Sequence, residues 1–180
     1  MSHFQPGRPE PKEYDPDFEF YVSRVPETDI YQALEEQLAE FAALLSSVSP
    51  AQETYRYAEG KWSVREVVGH MIDSEHVFGY RALCVSRGET VSLPGYDQEA
   101  YGIHSNDHEA PLKELQQEFE FLRKSHILFF KHLSESGWRR MGVANDNQVT
   151  ARAVAYSMVG HVRHHMKVLR ERYLSTPAVS

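Results

Sequence analysis

One cysteine, Cys84, stands in 180 residues. A lone thiol closes no internal disulfide, so a reducing compartment is expected, the cytoplasm by default. Cys84 reads as a small hydrophobe ending an apolar helix, because no fixed base is evident to make it a nucleophile. Positive charge is also short: 19 Lys and Arg against 26 Asp and Glu leave a net −7, with no basic block. Nucleic acid and anionic membrane both demand a concentrated positive footprint, so neither is expected as a partner. No apolar run approaches membrane length, and the first residues hold no signal-peptide core. No segment repeats, and none alternates convincingly as a strand. What remains is an ordinary globular composition, 41% hydrophobic and 25% charged, able to build one domain with a real core.

Five of the nine prolines (Pro6, Pro9, Pro11, Pro16, Pro26) fall in residues 1–26. Proline fixes φ and lacks the amide donor, which predicts an extended arm there, docked in its second half through Phe18, Phe20 and Tyr21. Residues 27–175 are expected to form the body. A first helix is predicted from Thr28 to Ser47, with Ile30, Leu34, Leu38, Phe41 and Leu45 recurring at three- and four-residue steps. The second opens on the capping box Ser63-Val-Arg-Glu66 and stops at Gly88. The third runs from Pro111 to Glu135 along Leu112, Leu115, Phe119, Leu122, His126, Phe129 and Leu133. The fourth runs from the cap Thr150 to Leu174, with Pro177 beyond it. Between the second and third lies a long loop with a Pro94-Gly95 turn, and Asn145-Asp-Asn147 marks another turn. Four amphipathic helices and no strand give an all-α four-helix bundle with an extended N-terminal arm.

Ten histidines make a chance His-x-x-x-His pair easy, so position matters more than spacing. His161 and His165 share one face of the fourth helix, offset by about 40° and rising about 6 Å. They lie in its apolar stripe, where burying an imidazole without a partner costs roughly 1–3 kcal/mol. A shared metal resolves that; so do hydrogen bonds between satisfied core histidines. A third ligand must come from another helix. His70 borders the stripe of the second helix and is the favoured candidate. His126, on the third helix seam, competes but reads more simply as a core histidine. His164 is turned about 100° away.

Gly60-Lys-Trp-Ser-Val-Arg-Glu-Val-Val-Gly-His70-Met-Ile-Asp73-Ser, Arg81-Ala-Leu, Arg87-Gly88, Leu93-Pro-Gly-Tyr-Asp97, Tyr101 and Gly160-His161-Val-Arg-His164-His165 follow one another in that order. This set resembles the DinB-like (YfiT-like) superfamily over roughly two-thirds of the chain. The resemblance implies a four-helix bundle and a divalent metal, zinc or nickel, held by His70, His161 and His165. Three protein ligands leave positions open, the pattern of a catalytic site. It further implies transfer of a low-molecular-weight thiol to a small electrophile, with hydrolysis by a bound water and a non-catalytic, stress-related binding protein as alternatives. A homodimer is implied by the family alone. Asp73 stands one turn from His70 and reads as an orienting or basic group, or as a plain surface acid. Tyr96 and Asp97, in the long loop, read as substrate contacts lining the pocket mouth or as residues that only order the loop. Arg81 reads as a group that meets a ligand carboxylate or, more simply, as one half of an ion pair with a neighbouring helix.

Overall fold

The four long helices form where the apolar stripes predict them. The computed structural model describes residues 3–175, so Pro177 lies outside the described residues. α2 spans Ile30–Ser46, α4 Val64–Arg87, α6 Leu112–Lys131 and α8 Ala151–Val168, which continues into a π-helical turn over Leu169–Leu174. Short helices stand between and before them: α1 (Glu19–Val22), α3 (Pro50–Glu53), α5 (Gln98–His104) and α7 (Glu135–Arg139). Among the described residues no helix is long and apolar enough to cross a membrane.

Around the bundle, α2 packs on α6 and α8, and α4 packs on the same two. Helices consecutive in the chain are therefore not always neighbours: α2 and α4 stand across the bundle from each other. The arrangement brings α4 and α8 side by side, which matters for the site. Their ends are set by local chemistry. The Ser63 hydroxyl accepts the Glu66 amide, and the Glu66 carboxylate accepts the Ser63 amide at 2.6 Å. Gly88 takes the left-handed conformation that ends α4, at φ 91°. Ser63→Ala should lower stability by about 1 kcal/mol in urea unfolding, because two first-turn groups lose their reciprocal partners.

Three departures from the sequence pattern have physical reasons. The N-terminal arm is extended only at first. It then takes two 3₁₀ turns, Pro11–Glu13 and Pro16–Phe18, followed by α1. Proline opens each turn, a position where its missing amide costs nothing. The arm is fastened by buried Glu13, which accepts from Thr150 Oγ1 and Arg152 Nε, each at 2.7 Å. Second, the inner face of α6 drifts. Leu112, Leu115 and Phe119 are buried as expected, but further along Arg123, Ile127 and Phe130 face inward instead of Leu122, His126 and Phe129. A straight helix of 3.6 residues per turn slips about 20° per heptad against a strict 3.5 repeat. α6 also ends earlier than the expected Glu135: it stops at Lys131, and Gly137-Trp138 belong to the separate α7.

Third, a β-hairpin exists where no strand was expected. β1 (Met141–Ala144) pairs antiparallel with β2 (Asn147–Thr150). Its two-residue loop, Asn145-Asp146, has φ of 51° and 60°, values these residue types tolerate best after glycine. Leu93 in the long loop bridges to Ala144 in parallel. Cys84 is half-buried against this hairpin's small apolar cluster, as its reading as a hydrophobe predicts.

Candidate metal centre

A hydrogen-bonded chain through all four long helices sets the seam on which the histidines stand. Glu75 of α4 accepts from Arg123 of α6 through both oxygens, at 2.7 and 2.8 Å. Arg123 donates onward to Gln37 of α2 at 2.6 Å, and Gln37 donates to the Val159 carbonyl of α8 at 2.9 Å. His126 Nδ1 lies 3.0 Å from Glu75. His126 is thus a satisfied, half-buried histidine, outside the group formed by the other imidazoles.

His70, His161 and His165 converge from α4 and α8, with their ligand atoms all within 4.8 Å of one another. His161 is the hub: its Nε2 lies 3.1 Å from Nε2 of His70 and 3.1 Å from Nε2 of His165. His70 is 5% exposed, His161 4% exposed, and His165 half-buried. An imidazole nitrogen has one in-plane site, either a proton or a lone pair. A single Nε2 therefore cannot make two good hydrogen bonds at once, and mutual bonding leaves a buried nitrogen unsatisfied. A cation satisfies all three. Two nitrogens about 2.1 Å from one zinc ion stand roughly 3.0–3.4 Å apart at octahedral or tetrahedral angles, which the observed spacing fits.

Electrostatics favour the lone pairs. Burial, reinforced by the neighbouring histidines, lowers the pKa of His70 to about 4 and of His165 to about 3, and pushes His161 well down. All three are neutral near pH 7, the form that binds a metal. Aromatic rings wall the cluster. Trp62 lies 4.9 Å from His70 between ring centroids, Tyr21 5.4 Å and Phe78 5.8 Å from His161.

Each helix meets a covering segment at a glycine just before its first histidine. A Cβ on Gly160 would stand 2.1 Å from the Tyr21 carbonyl oxygen, and one on Gly69 would stand 2.0 Å from Asp107 Oδ2. The first contact lets α1 lie directly on α8 and brings the Tyr21 ring over His161. Gly160→Ala should therefore lift α1, costing about 1–3 kcal/mol in thermal or urea unfolding. Val68-Gly69-His70 and Val159-Gly160-His161 are the same tripeptide, a signal in the sequence that could have paired these positions. Tyr21, Trp62 and Asp107 carried no such mark as parts of a site.

The remaining expected residues divide. Asp73 is half-buried, its carboxyl pKa raised by burial and by Asp107, and it makes no hydrogen bond to the histidines among the described residues. Tyr96 is half-buried, its hydroxyl 2.6 Å from Ser74 Oγ. Asp97 is exposed and caps α5, accepting from the amides of Glu99 and Ala100 at 3.0 and 3.1 Å. That duty explains Asp97 without a ligand. His164 sits beside Phe20, 5.0 Å between centroids, outside the cluster.

Residues 33–169 match the family model described as the DinB superfamily. The chain belongs to the DinB superfamily. Within the match lie α4, α6 and α8 whole, α2 from Ala33 onward, and all three clustered histidines, so the DinB-like region includes the three histidines of the candidate centre. Among solved structures, the DinB-like fold is similar to that of YfiT from Bacillus subtilis. That protein is described as a probable metal-dependent hydrolase with an unusual four-helix bundle topology. The TM-score is 0.72 at 23% identity, covering 79% of this chain and 82% of that one. At that identity the likeness is one of fold. No curated protein matches the sequence.

Proposed function

We propose that the chain is a metal-dependent enzyme that transfers a low-molecular-weight thiol to an electrophilic small molecule. His70, His161 and His165 are its three protein ligands to one divalent ion, zinc or nickel. The convergence of three neutral imidazole nitrogens from two adjacent helices carries this reading. Held there, such an ion supplies a Lewis acid that lowers the pKa of a thiol or water reaching its open side.

The chain's own residues supply the rest. Trp62, Tyr21 and Phe78 keep bulk water from the histidines, a setting that suits a soft sulfur nucleophile better than water. In the transfer the thiol gives up its proton, its sulfur bonds to the electrophilic carbon, and the leaving group departs with the bonding electrons. The Asp73 carboxylate, its pKa raised by burial, is assigned to receive that proton. Tyr96, held by Ser74, is assigned to the substrate side of the site. The active form is proposed to be a cytoplasmic homodimer, which light scattering would test.

Hydrolysis is the second reading, favoured by the description of YfiT as a probable metal-dependent hydrolase. Asp73 would then take its proton from water. One experiment separates the readings. Protein purified without a nickel column is assayed for bound metal, then offered a thiol panel with monochlorobimane and a panel of esters and amides. Metal-dependent loss of thiol supports transfer, and metal-dependent loss of ester or amide supports hydrolysis. Ligand binding without turnover of either would leave a non-catalytic binding protein.

A further inference from the structure

Arg81 has a carrier's position without a cargo. It lies on α4, 7% exposed, and its Nη2 donates to the Pro94 carbonyl at 3.0 Å. That is its one hydrogen bond among the described residues, and its buried Nε has no partner. The ion pair expected from the sequence does not form: no carboxylate oxygen of the described residues lies within 4.0 Å of its guanidinium. Glu13, Glu27 and Glu75, the acids nearest in kind, are each already held by Arg152, Arg163 and Arg123. Burying an arginine with neither counter-ion nor full hydrogen bonding is costly unless something else supplies the negative charge.

Arg81 lines a cavity of about 180 Å³ between the N-terminal arm, α4, α8 and the hairpin. Its apolar walls include Tyr14, Phe18 and Phe78, with Tyr96 opposite. Asn145 and Gln148, both exposed, stand on its lining, so solvent reaches it from the hairpin side. Asp15, half-buried, also lines it, its Oδ1 accepting from the Asp17 amide at 2.9 Å, so a ligand's carboxylate belongs on the Arg81 side of the cavity. For scale, a dry engineered cavity of about 150 Å³ accepts benzene. Arg81 is eleven residues along α4 from His70, about 16 Å along the helix axis, but Phe78 walls both the cavity and the histidine cluster, so the two adjoin.

We propose that this cavity, which adjoins the histidine cluster and shares Tyr96 with the substrate side proposed above, takes a monocarboxylic acid with a ring or compact apolar body, its carboxylate against Arg81. The planar guanidinium matches a carboxylate fork, and a single cation among aromatic walls suits one negative charge on an apolar body. A phosphate dianion finds too little positive charge there.

The test titrates benzoate into full-length protein stripped of metal with EDTA, so that no ion at the histidines can hold the carboxylate. Benzamide, similar in shape but neutral, is the control, and inorganic phosphate the competing anion. Benzoate should bind at least about ten-fold more tightly than benzamide, shift the amide resonances of Gln148 and Ser157, and resist displacement by equimolar phosphate. Arg81→Met should erase the preference for benzoate while circular dichroism stays helical. If that variant does not fold, the comparison of benzoate with benzamide on the unaltered protein decides. Equal affinity for the two, no benzoate binding at millimolar concentration, preference for phosphate, or benzoate binding that survives in a folded Arg81→Met protein would each overturn the proposal. Because the protein is metal-free throughout, the result stands apart from the thiol-transfer reading.

Discussion

His161→Ala should cut zinc or nickel affinity by at least about 100-fold while leaving the bundle helical. His161 Nε2 lies within hydrogen-bond distance of both other imidazoles, 3.1 Å from each. Removing a partner that merely orients a metal ligand already costs about 10–100-fold in affinity, and His161 is proposed as a ligand itself. The fold should survive, because the chain loses a buried polar ring that had no complete set of protein partners. Competition with a chromogenic chelator reads the affinity, and far-UV circular dichroism reads the helices. Any metal-dependent turnover should vanish with it. Unchanged affinity would place the ion elsewhere or remove it from the account. His126→Ala is the matched control: it should leave metal binding intact, since His126 is engaged with Glu75.

The second large effect belongs to Arg123→Met. The substitution leaves the Glu75 carboxylate buried, 1% exposed, without its bidentate partner. Breaking one side of a buried pair typically costs 3–5 kcal/mol, about what is expected here from urea unfolding. Acid gives an independent reading. Burial alone would raise the Glu75 pKa, but Arg123 and His126 overcome it and bring it down to about 2, against an ordinary 4.5. A depressed pKa contributes stability that is complete above about 4.5 and lost as pH falls toward 2, roughly 3 kcal/mol in all. In Arg123→Met the carboxyl pKa should rise above its ordinary value, so that acid stabilises the variant as pH falls from that raised pKa to about 4.5, with little further change below. A wild type that loses stability below about pH 4.5 and a variant that gains it on acidification above that pH test the pair directly. A variant that keeps the wild-type slope would show that Arg123 is not what holds Glu75 ionised.

The network around Arg123 also shows where pattern reading stops. An arginine on an amphipathic helix reads as solvent-facing, and Gln37 and Glu75 read the same way. All three are buried, because each satisfies another across the bundle. Hydrophobic periodicity records which residues avoid water, and has no means of recording a polar group whose partner arrives from another helix. The hairpin escaped for a related reason. Its strands are four residues each, too short for alternation to show, and only the Asn145-Asp146 pair marked it.

Most helix ends (that of α6 excepted), the capping box at Ser63, the cap at Thr150 and the stop at Gly88 were legible locally, because each depends on residues within one or two turns. The shared face of His161 and His165 was legible for the same reason: helical geometry is set by the backbone, and four residues return a side chain to nearly the same side. That His70 completes the group could be named from family likeness, but sequence spacing alone left His126 in contention. Packing decided between them. α4 came to rest against α8 with His70 on the seam, while Glu75 and Gly79 received His126 elsewhere. The same packing left Arg81 without a carboxylate. Which buried charge is answered by the chain and which is left for a ligand depends on contacts between distant segments, and those exist only once the helices are assembled.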